Sequence, residues 1–188
     1  MRQLLYLILI TNSLNMFGVE HYFVQQDGFA KELSRYNFFT DQQAQIPNDR
    51  VFSYSLASAL FSDFTKKQRW MYVPEGYQAS YRENGVYDFP DGSALIKTFY
   101  YDDDSINKKN LLETRLLIKN NGSWKAASYA WNEDQSEAYL KIAGKTIATN
   151  FIDQNGETKN VRYRVPNVNQ CKECHAVNDE ISPIGPKA

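Results

Sequence analysis

The chain has 188 residues and carries 21 Lys and Arg against 22 Asp and Glu, for a formal net charge of −1. This balance gives no overall basic field, so we expect no nucleic-acid partner. Hydrophobic residues make up 43% and charged residues 23%, which excludes wholesale disorder and favours a globular domain. With only two Cys and two His, a disulfide-dense scaffold and a multi-histidine metal site are excluded.

The first residues have the pattern of an export signal. Arg2 is followed by the unbroken apolar run Leu4 to Ile10, and polar residues begin at Thr11. That run is long enough for a signal peptide but too short for a membrane-spanning helix. We therefore predict a signal peptide over residues 1–18 and a periplasmic or otherwise exported protein. A short buried helix or strand is the alternative, and membrane association is expected only through export or a retained N-terminal anchor.

Residues 19–165 are predicted to form a β-rich domain. Asp27 is a plausible N-cap for a helix through Phe39, with apolar residues at spacings of three and four. From Trp70 onward, segments rich in Val, Ile, Tyr, Phe and Thr alternate with Asn-Gly or Asp-Gly pairs, which favour hairpins. The predicted strands are 70–73, 77–82, 85–89, 94–101, 111–119, 124–131, 137–142, 146–152 and 159–165, with a charged loop over 102–110. The fold class is mainly β: an antiparallel β-sandwich or barrel-like domain with a short N-terminal helix.

Residues 166–188 carry the one strong chemical signal, Cys171-Lys-Glu-Cys174-His175. Cys-x-x-Cys-His is the attachment signature of c-type haem. Positions i and i+3 share one face of a helical turn, so both thiols can form thioethers with one porphyrin edge. The adjacent imidazole can then bind the iron as the proximal ligand. The sequence predicts covalent haem c on Cys171 and Cys174, with His175 as the metal ligand.

Three other interpretations of the cysteine pair are open but weaker. A structural zinc site needs four ligands, and His21 would have to supply the fourth from the far end of the chain. A thioredoxin-like redox pair needs a βαβ context, whereas this pair follows a β-rich body. A disulfide between Cys171 and Cys174 would close a short, strained ring.

The C-terminal stretch Val165-Pro-Asn-Val-Asn-Gln-Cys-Lys-Glu-Cys-His, followed by Ile184-Gly-Pro-Lys-Ala, resembles a family of secreted bacterial dihaem c-type cytochromes. Three upstream segment pairs are similar to the same family: Leu60-Phe-Ser-Asp with Lys67-Gln-Arg-Trp, Tyr87-Asp-Phe-Pro-Asp-Gly with Ile96-Lys-Thr-Phe-Tyr-Tyr, and Glu113-Thr-Arg with Trp124-Lys-Ala-Ala-Ser-Tyr-Ala-Trp-Asn-Glu. The resemblance covers nearly all of the chain after about Gly28. It implies electron transfer and no defined substrate. Family members continue into a second Cys-x-x-Cys-His that this sequence lacks, so we expect a fragment of a dihaem protein or a single-haem departure.

Two further ligand roles follow from similarity to small cytochromes. In such folds a proline carbonyl accepts the hydrogen bond of the proximal His Nδ1, and Pro186 is expected to take that role for His175. The alternative is that Pro183 and Pro186 simply shape an extended tail. The candidates for a sixth iron ligand within the chain are Met16, His21 and Met71. A ligand from missing sequence, or five-coordinate iron, is favoured over all three.

Other features have both a functional and an ordinary structural interpretation. Arg162 and Arg164 alternate on one strand and are either partners for a haem propionate or part of a solvated strand face. The basic cluster Lys66, Lys67 and Arg69 is either a docking patch for a redox partner or a solvated run of charge. Trp70, Trp124 and Trp131 are either a platform for a sugar or core residues. We find no nucleophile–base pair, phosphate-binding loop, dinucleotide fingerprint or metalloprotease motif.

The function predicted from the sequence is that of an exported c-type cytochrome that exchanges single electrons with a redox partner protein. The absence of a catalytic motif favours an electron-transfer protein over an enzyme. The alternative, from a different functional class, is a secreted β-sandwich binding module for carbohydrate, without haem.

Overall fold

The computed structural model describes residues 18–57, 61–83, 85–103 and 108–187. Its helices are α1 (His21–Gln25), a 3₁₀ helix (Leu33–Tyr36) and α2 (Val168–His175). Its strands are β1 (Phe39–Asp41), β2 (Ile46–Pro47), β3 (Val51–Ser53), β4 (Lys66–Tyr72), β5 (Ala94–Asp103), β6 (Lys108–Asn120), β7 (Ser123–Trp131), β8 (Ala138–Leu140), β9 (Lys145–Ile152), β10 (Thr158–Val165), β11 (Ala176–Val177) and β12 (Glu180–Ile181). The described chain is therefore mainly β, as predicted.

A six-stranded antiparallel sheet forms the centre of the molecule. Its strand order is β3–β4–β5–β6–β7–β8, so each strand pairs with its neighbour in sequence. The tight turn between β6 and β7 is Asn121-Gly122, with φ values of 50° and 77°, as the Asn-Gly pair predicts. Three two-stranded antiparallel ladders, β1–β2, β9–β10 and β11–β12, complete the strands of the described residues. No closed barrel is present in the part of the chain that the structure describes, so the barrel-like variant of the prediction is wrong.

The predicted strands 77–82 and 85–89 are wrong. This segment is irregular in the described residues and is held by the isolated bridges Ser80↔Asp88 and Val86↔Lys187. Tyr77 and Tyr81 are 65% and 63% exposed, so their β-favouring side chains find no pleated surface to pack on. The predicted loop 102–110 is shorter than expected, because β5 continues to Asp103 and β6 begins at Lys108.

The predicted helix Asp27–Phe39 is also wrong. The helical residues before β1 are α1 and the 3₁₀ helix, and Asn37 ends the latter in the left-handed region with φ 52°. Between them Glu32 forms an antiparallel bridge to Tyr139, and the Lys31 carbonyl accepts a hydrogen bond from the Leu140 N–H at 2.9 Å. Pairing with β8 holds this stretch extended, so a tertiary contact overrides the helical spacing.

One face of the central sheet packs under the N-terminal segment, and we call it the apolar face. Its core consists of buried aromatic and aliphatic residues: Val24, Leu33, Tyr36, Phe38 and Phe39 from the N-terminal segment against Trp70, Tyr72, Ile96, Leu111, Leu116, Ile118, Tyr129 and Trp131 from the sheet. All of the named side chains are 5% exposed or less. This large cluster supplies most of the hydrophobic stabilisation of the fold.

The opposite face packs under the C-terminal part of the chain, and we call it the charged face. The β9–β10 hairpin covers one end through Phe151, Tyr163 and Val165, which pack with Phe99 and Tyr101 of β5. A smaller cluster around Val73, Phe89 and Leu95 fills the other end. Helix α2 and strand β12 lie against β7 between these clusters. The Cys-x-x-Cys-His motif therefore lies on the charged face.

The predicted signal peptide falls on residues 1–18, of which only Gly18 is described. Within the described ranges no helix combines the length and the apolar character needed to span a bilayer.

Candidate functional site

Helix α2 carries the Cys-x-x-Cys-His motif and begins with a capping box. Asn167 Oδ1 accepts a hydrogen bond from the Gln170 backbone N–H at 3.0 Å, and Gln170 Oε1 accepts one from the Asn167 N–H at 3.1 Å. These reciprocal bonds satisfy two of the unpaired donors at the helix start. The predicted placement of both cysteines on one helical turn is therefore present in the structure.

The turn at Gly144 lies directly against the start of α2. A Cβ added at Gly144, where φ is +77°, would come within 2.6 Å of the Val165 carbonyl oxygen and 3.2 Å of the Asn167 nitrogen. Backbone atoms cannot yield at such a distance as a flexible side chain could. The loop between β8 and β9 thus fits closely around the strand-to-helix junction that leads to the cysteines.

The two cysteines have different environments. Cys171 is 9% exposed and faces the charged face, whereas Cys174 is exposed; both are free thiols. Burial raises the pKa of the Cys171 thiol, although the nearby Arg115 guanidinium opposes that shift. Cys171 is therefore a protonated thiol at neutral pH, while Cys174 is the solvent-accessible member of the pair.

The imidazole of His175 is held by the chain that follows it. β11 and β12 form a tight hairpin through Asn178 and Asp179, which have φ values of 51° and 65°. This hairpin brings the Ser182 carbonyl to 3.2 Å from His175 Nδ1, and the Ser182 N–H donates to the His175 carbonyl at 2.5 Å. A carbonyl only accepts, so Nδ1 carries the proton and Nε2 keeps its lone pair.

The charge state of His175 follows from its surroundings. Burial lowers the pKa of the imidazole below its ordinary value, the Ser182 carbonyl opposes the shift, and the cations Lys97 and Arg115 lower the pKa further. The ring is therefore neutral at pH 7, with Nε2 as an available ligand atom. This is the tautomer in which histidine binds a metal through Nε2.

The expected role of Pro186 is wrong. The hydrogen bond of His175 Nδ1 goes to Ser182, and the Pro186 carbonyl instead accepts from the Tyr87 N–H at 3.3 Å. The reason is the β11–β12 hairpin, which turns the chain back four residues earlier than the similarity implied. Pro183 and Pro186 are both buried, and they pack the tail against the molecule.

Three cations lie side by side on the charged face, and two of them, Lys97 and Arg115, act on His175 of α2. Arg69 of β4 is the cross-strand partner of Lys97 of β5, and Lys97 is the partner of Arg115 of β6. We call Arg69, Lys97 and Arg115 the cationic row. Directly opposite like charges destabilise a sheet, so this arrangement costs stability. The next position in the same line is Ser128 of β7, whose buried hydroxyl acts on the Cys171 thiol.

One buried carboxylate compensates part of this charge. Glu113 is 0% exposed, and its two carboxylate oxygens accept hydrogen bonds from Arg115 Nε and Nη2 at 2.7 and 2.9 Å. The Tyr163 hydroxyl donates to Glu113 Oε2 at 2.6 Å. The Arg115 guanidinium also lies 4.4 Å from the centre of the Phe99 ring, and the Lys97 ammonium lies 4.6 Å from it. The site is thus a positive, partly buried floor under α2.

Of the other candidates from the sequence, Arg69 is the one that belongs to the cationic row. His21 lies in α1, where its Nδ1 is 3.2 Å from the Tyr72 hydroxyl, and Met71 packs in the small cluster around Leu95. Met16 is outside the described residues. Arg162 and Arg164 are exposed, which confirms the solvated-strand interpretation. The basic cluster is divided, because Lys66 pairs with Asp102 while Arg69 belongs to the cationic row.

Two of the three tryptophans belong to the core. Trp70 and Trp131 are 2% and 3% exposed, which confirms the core interpretation for them. Trp124 is half-buried and packs against Phe89 of the small cluster.

Sequence reasoning missed the cationic row. Lys97 and Arg115 lie in separate segments that carry the family resemblance, but nothing in the sequence indicated that they are neighbours. The available signal was that β4, β5 and β6 each carry a cation at a position where the alternating pattern predicts an inward-facing apolar residue. Recognising it required the strand register, which the sequence alone did not give.

Among the described residues, no group of three or more His, Cys, Asp and Glu side chains converges as a metal site. A porphyrin iron needs fewer protein ligands, because the macrocycle supplies the others. The chain matches no protein-family model, no curated protein and no solved structure.

Proposed function

We propose that this chain binds haem c covalently through Cys171 and Cys174, with His175 as an axial ligand, and serves as an exported electron-transfer protein. The observation that carries the proposal is the state of His175. Its Nδ1–H is held by Ser182 at 3.2 Å, and the ring is neutral, so Nε2 is free to bind iron. A carbonyl bound to Nδ1 also raises the basicity of Nε2 as a ligand.

The cysteines fit covalent attachment by their placement on α2. They are three residues apart on a capped helix, and His175 follows directly, so all three functional groups project from its last turn. Each thioether forms when S–H adds across a vinyl C=C bond: sulfur bonds to one carbon, the hydrogen goes to the other, and no atom is lost. Both thiols are free, as this addition requires.

Haem iron, when bound, supplies one-electron exchange between its ferric and ferrous forms with a redox partner protein. The residues of this chain fix the iron's position and set its surroundings. His175 would hold the iron through Nε2, and the Ser182 carbonyl orients the imidazole ring. The positive n-region and apolar run of residues 1–18 support export, since attachment of haem c takes place outside the bacterial cytoplasm.

The test is intact-mass analysis of the full chain expressed in the periplasm together with haem-maturation machinery. We expect a mass increase of one haem group that survives denaturation, together with a visible-region haem spectrum. The Cys171→Ser/Cys174→Ser variant should carry no covalent haem. Lys172→Gln is the matched control, because it changes an exposed residue between the two cysteines and should retain the haem.

A bare polypeptide mass for the wild-type chain under these conditions would overturn the proposal. Retention of haem mass by the double-cysteine variant would show that attachment does not use these thiols, which would overturn it equally.

A further inference from the structure

The cationic row has more hydrogen-bond donors than the described chain satisfies. Arg69 Nη2 is buried without a hydrogen-bond partner among the described residues, and the half-buried Lys97 ammonium lies 4.6 Å from the centre of the Phe99 ring. Arg115 uses Nε and Nη2 for Glu113, which leaves further guanidinium N–H donors. A buried charged donor without a partner costs free energy. We therefore expect a negatively charged group to bind at the cationic row.

The balance of charge in the row gives the sign of the missing group. The three members carry three positive charges, and Glu113 is the one carboxylate paired with a member of the row in the described ranges. Two positive charges remain uncompensated. Because Arg69, Lys97 and Arg115 are consecutive cross-strand partners, their Cβ atoms are spaced by about 5 Å from strand to strand. A line of three cations at this spacing is longer than one carboxylate can span, so it can bind two carboxylates side by side.

We propose that the cationic row binds a pair of carboxylates, and that the two propionate groups of the haem supply them. The assignment of the source rests on the proposed haem-binding function. A free dicarboxylate offers the same chemistry, and the experiment below distinguishes the two sources.

The position of the row supports the propionates as the source. Lys97 and Arg115 are near enough to His175 to act on its charge, and Arg115 acts likewise on Cys171. Lys97 and Arg115 therefore lie beside the Cys-x-x-Cys-His motif, and Arg69 is the cross-strand partner of Lys97. The alternative propionate partners on the strand before α2, Arg162 and Arg164, are exposed on the β9–β10 hairpin.

Propionate binding would also explain why three like charges lie in direct register, an arrangement that lowers the stability of the haem-free chain. Burial, together with the neighbouring Arg115, lowers the pKa of Lys97 to about 8. A bound carboxylate would restore its full charge and remove the repulsion along the row. The same carboxylates would satisfy the buried nitrogen of Arg69.

The test uses the full chain purified without haem and kept reduced. Haemin and its propionate dimethyl ester are each titrated into the wild-type chain, Arg69→Gln, Lys97→Met and the control Arg162→Gln, with the Soret absorbance as readout. We expect the wild type and the control to prefer the free acid by at least about tenfold, as for hydrogen bonds to charged groups. Arg69→Gln and Lys97→Met should lose most of that preference while still binding the ester. Equal binding of acid and ester by the wild type would overturn the proposal.

A second arm separates this proposal from the haem function. Succinate is added to the haem-free wild type and Lys97→Met, and thermal unfolding is followed. If neither porphyrin binds but succinate raises Tm in the wild type alone, the carboxylate site is supported, with a free dicarboxylate as its source, and the haem function fails. If neither porphyrin binds and succinate has no effect, the carboxylate site is overturned as well.

Discussion

The two faces of the central sheet differ in how their polar groups are satisfied. On the apolar face the Tyr129 hydroxyl donates to the Ala30 carbonyl at 2.8 Å and lies 3.1 Å from the Tyr36 hydroxyl, which accepts from the Ala30 N–H at 3.0 Å. Trp131 Nε1 donates to Thr114 Oγ1 at 3.0 Å. Every one of these buried groups has a partner, as a stable core requires.

The charged face has a buried donor that the described chain does not satisfy and like charges in direct register. Arg69 Nη2 has no hydrogen-bond partner there, and Lys97 lies between two guanidinium groups. The comparison shows that the apolar face stabilises the fold, whereas the like charges and the unsatisfied donor of the charged face reduce its stability. Residues that cost stability in the haem-free chain point to a ligand-binding role.

The largest expected effect comes from the buried ion pair of the charged face. Glu113→Ala leaves the Arg115 guanidinium and the Tyr163 hydroxyl without their partner. The Glu113 carboxylate is fully buried but the Arg115 side chain is 32% exposed, so the cost is about 3 kcal/mol, the low end of the range for removing one member of a buried pair. We expect a loss of that size in the free energy of unfolding, measured by urea denaturation.

Glu113→Leu/Arg115→Met is the control for this effect. Replacing both partners by apolar residues leaves no buried charge, so the double variant should lose much less than Glu113→Ala. If the double variant is the less stable of the two, the ion pair is a net stabilising element, and the contrast between the faces fails at this point.

The next effect is a pH dependence at Lys97. Its pKa is about 8 in the folded chain against 10.5 for an ordinary lysine, so between these values the unfolded chain binds the extra proton. Stability therefore rises as pH increases from about 8 to 10.5, by up to about 3 kcal/mol before allowance for solvent screening. The charged and titratable groups that act on or lie near the ammonium are Lys67, Arg69, Glu113, Arg115 and His175.

Lys97→Met isolates this contribution. The haem-free variant should be more stable than wild type below pH 8, and the difference should disappear towards pH 10.5. Urea denaturation at several pH values measures it. A difference that does not change with pH would show that Lys97 carries its full charge without penalty.

A smaller effect is expected on the apolar face. Tyr129→Phe removes the hydroxyl that donates to Ala30 and leaves a buried carbonyl without that donor. The expected loss is about 1–3 kcal/mol, and porphyrin binding in the Soret titration should not change. A change in porphyrin affinity would mean that the two faces are coupled rather than separate.

The smallest effect concerns the start of α2. Asn167→Ala removes the side chain that accepts from Gln170, at a cost of about 1 kcal/mol. Asn167→Ser keeps an oxygen at the cap and should recover most of the loss. Thermal unfolding of the two variants compares them directly, and equal destabilisation would argue against a capping role.

Most strands after Trp70 could be predicted because their β-favouring residues and tight turns are local features. The Asn121-Gly122 turn is an example, since the dipeptide itself favours the required positive φ values. The segment at Lys31 and Glu32 could not be predicted, because its extended form depends on β8, more than a hundred residues away. Local spacing there favoured a helix that long-range pairing overrides.

The candidate site divides in the same way. Cys171, Cys174 and His175 are contiguous, so their grouping was readable from sequence spacing. The Nδ1 partner of His175 was not, because it depends on a hairpin turn formed by Asn178 and Asp179. The cationic row was hidden for a stronger reason, since its members lie on three strands and meet only through their register.

The close fit at Gly144 makes the β8–β9 turn a point of vulnerability for the motif. Any side chain at this position would clash with the Val165 carbonyl oxygen and with the backbone nitrogen of the N-cap residue Asn167. Such a substitution would displace the start of α2 and with it the two cysteine thiols, although position 144 itself carries no reactive group. The proposed haem attachment could thus be lost through a turn that is distant in sequence, while Cys171, Cys174 and His175 all remain intact.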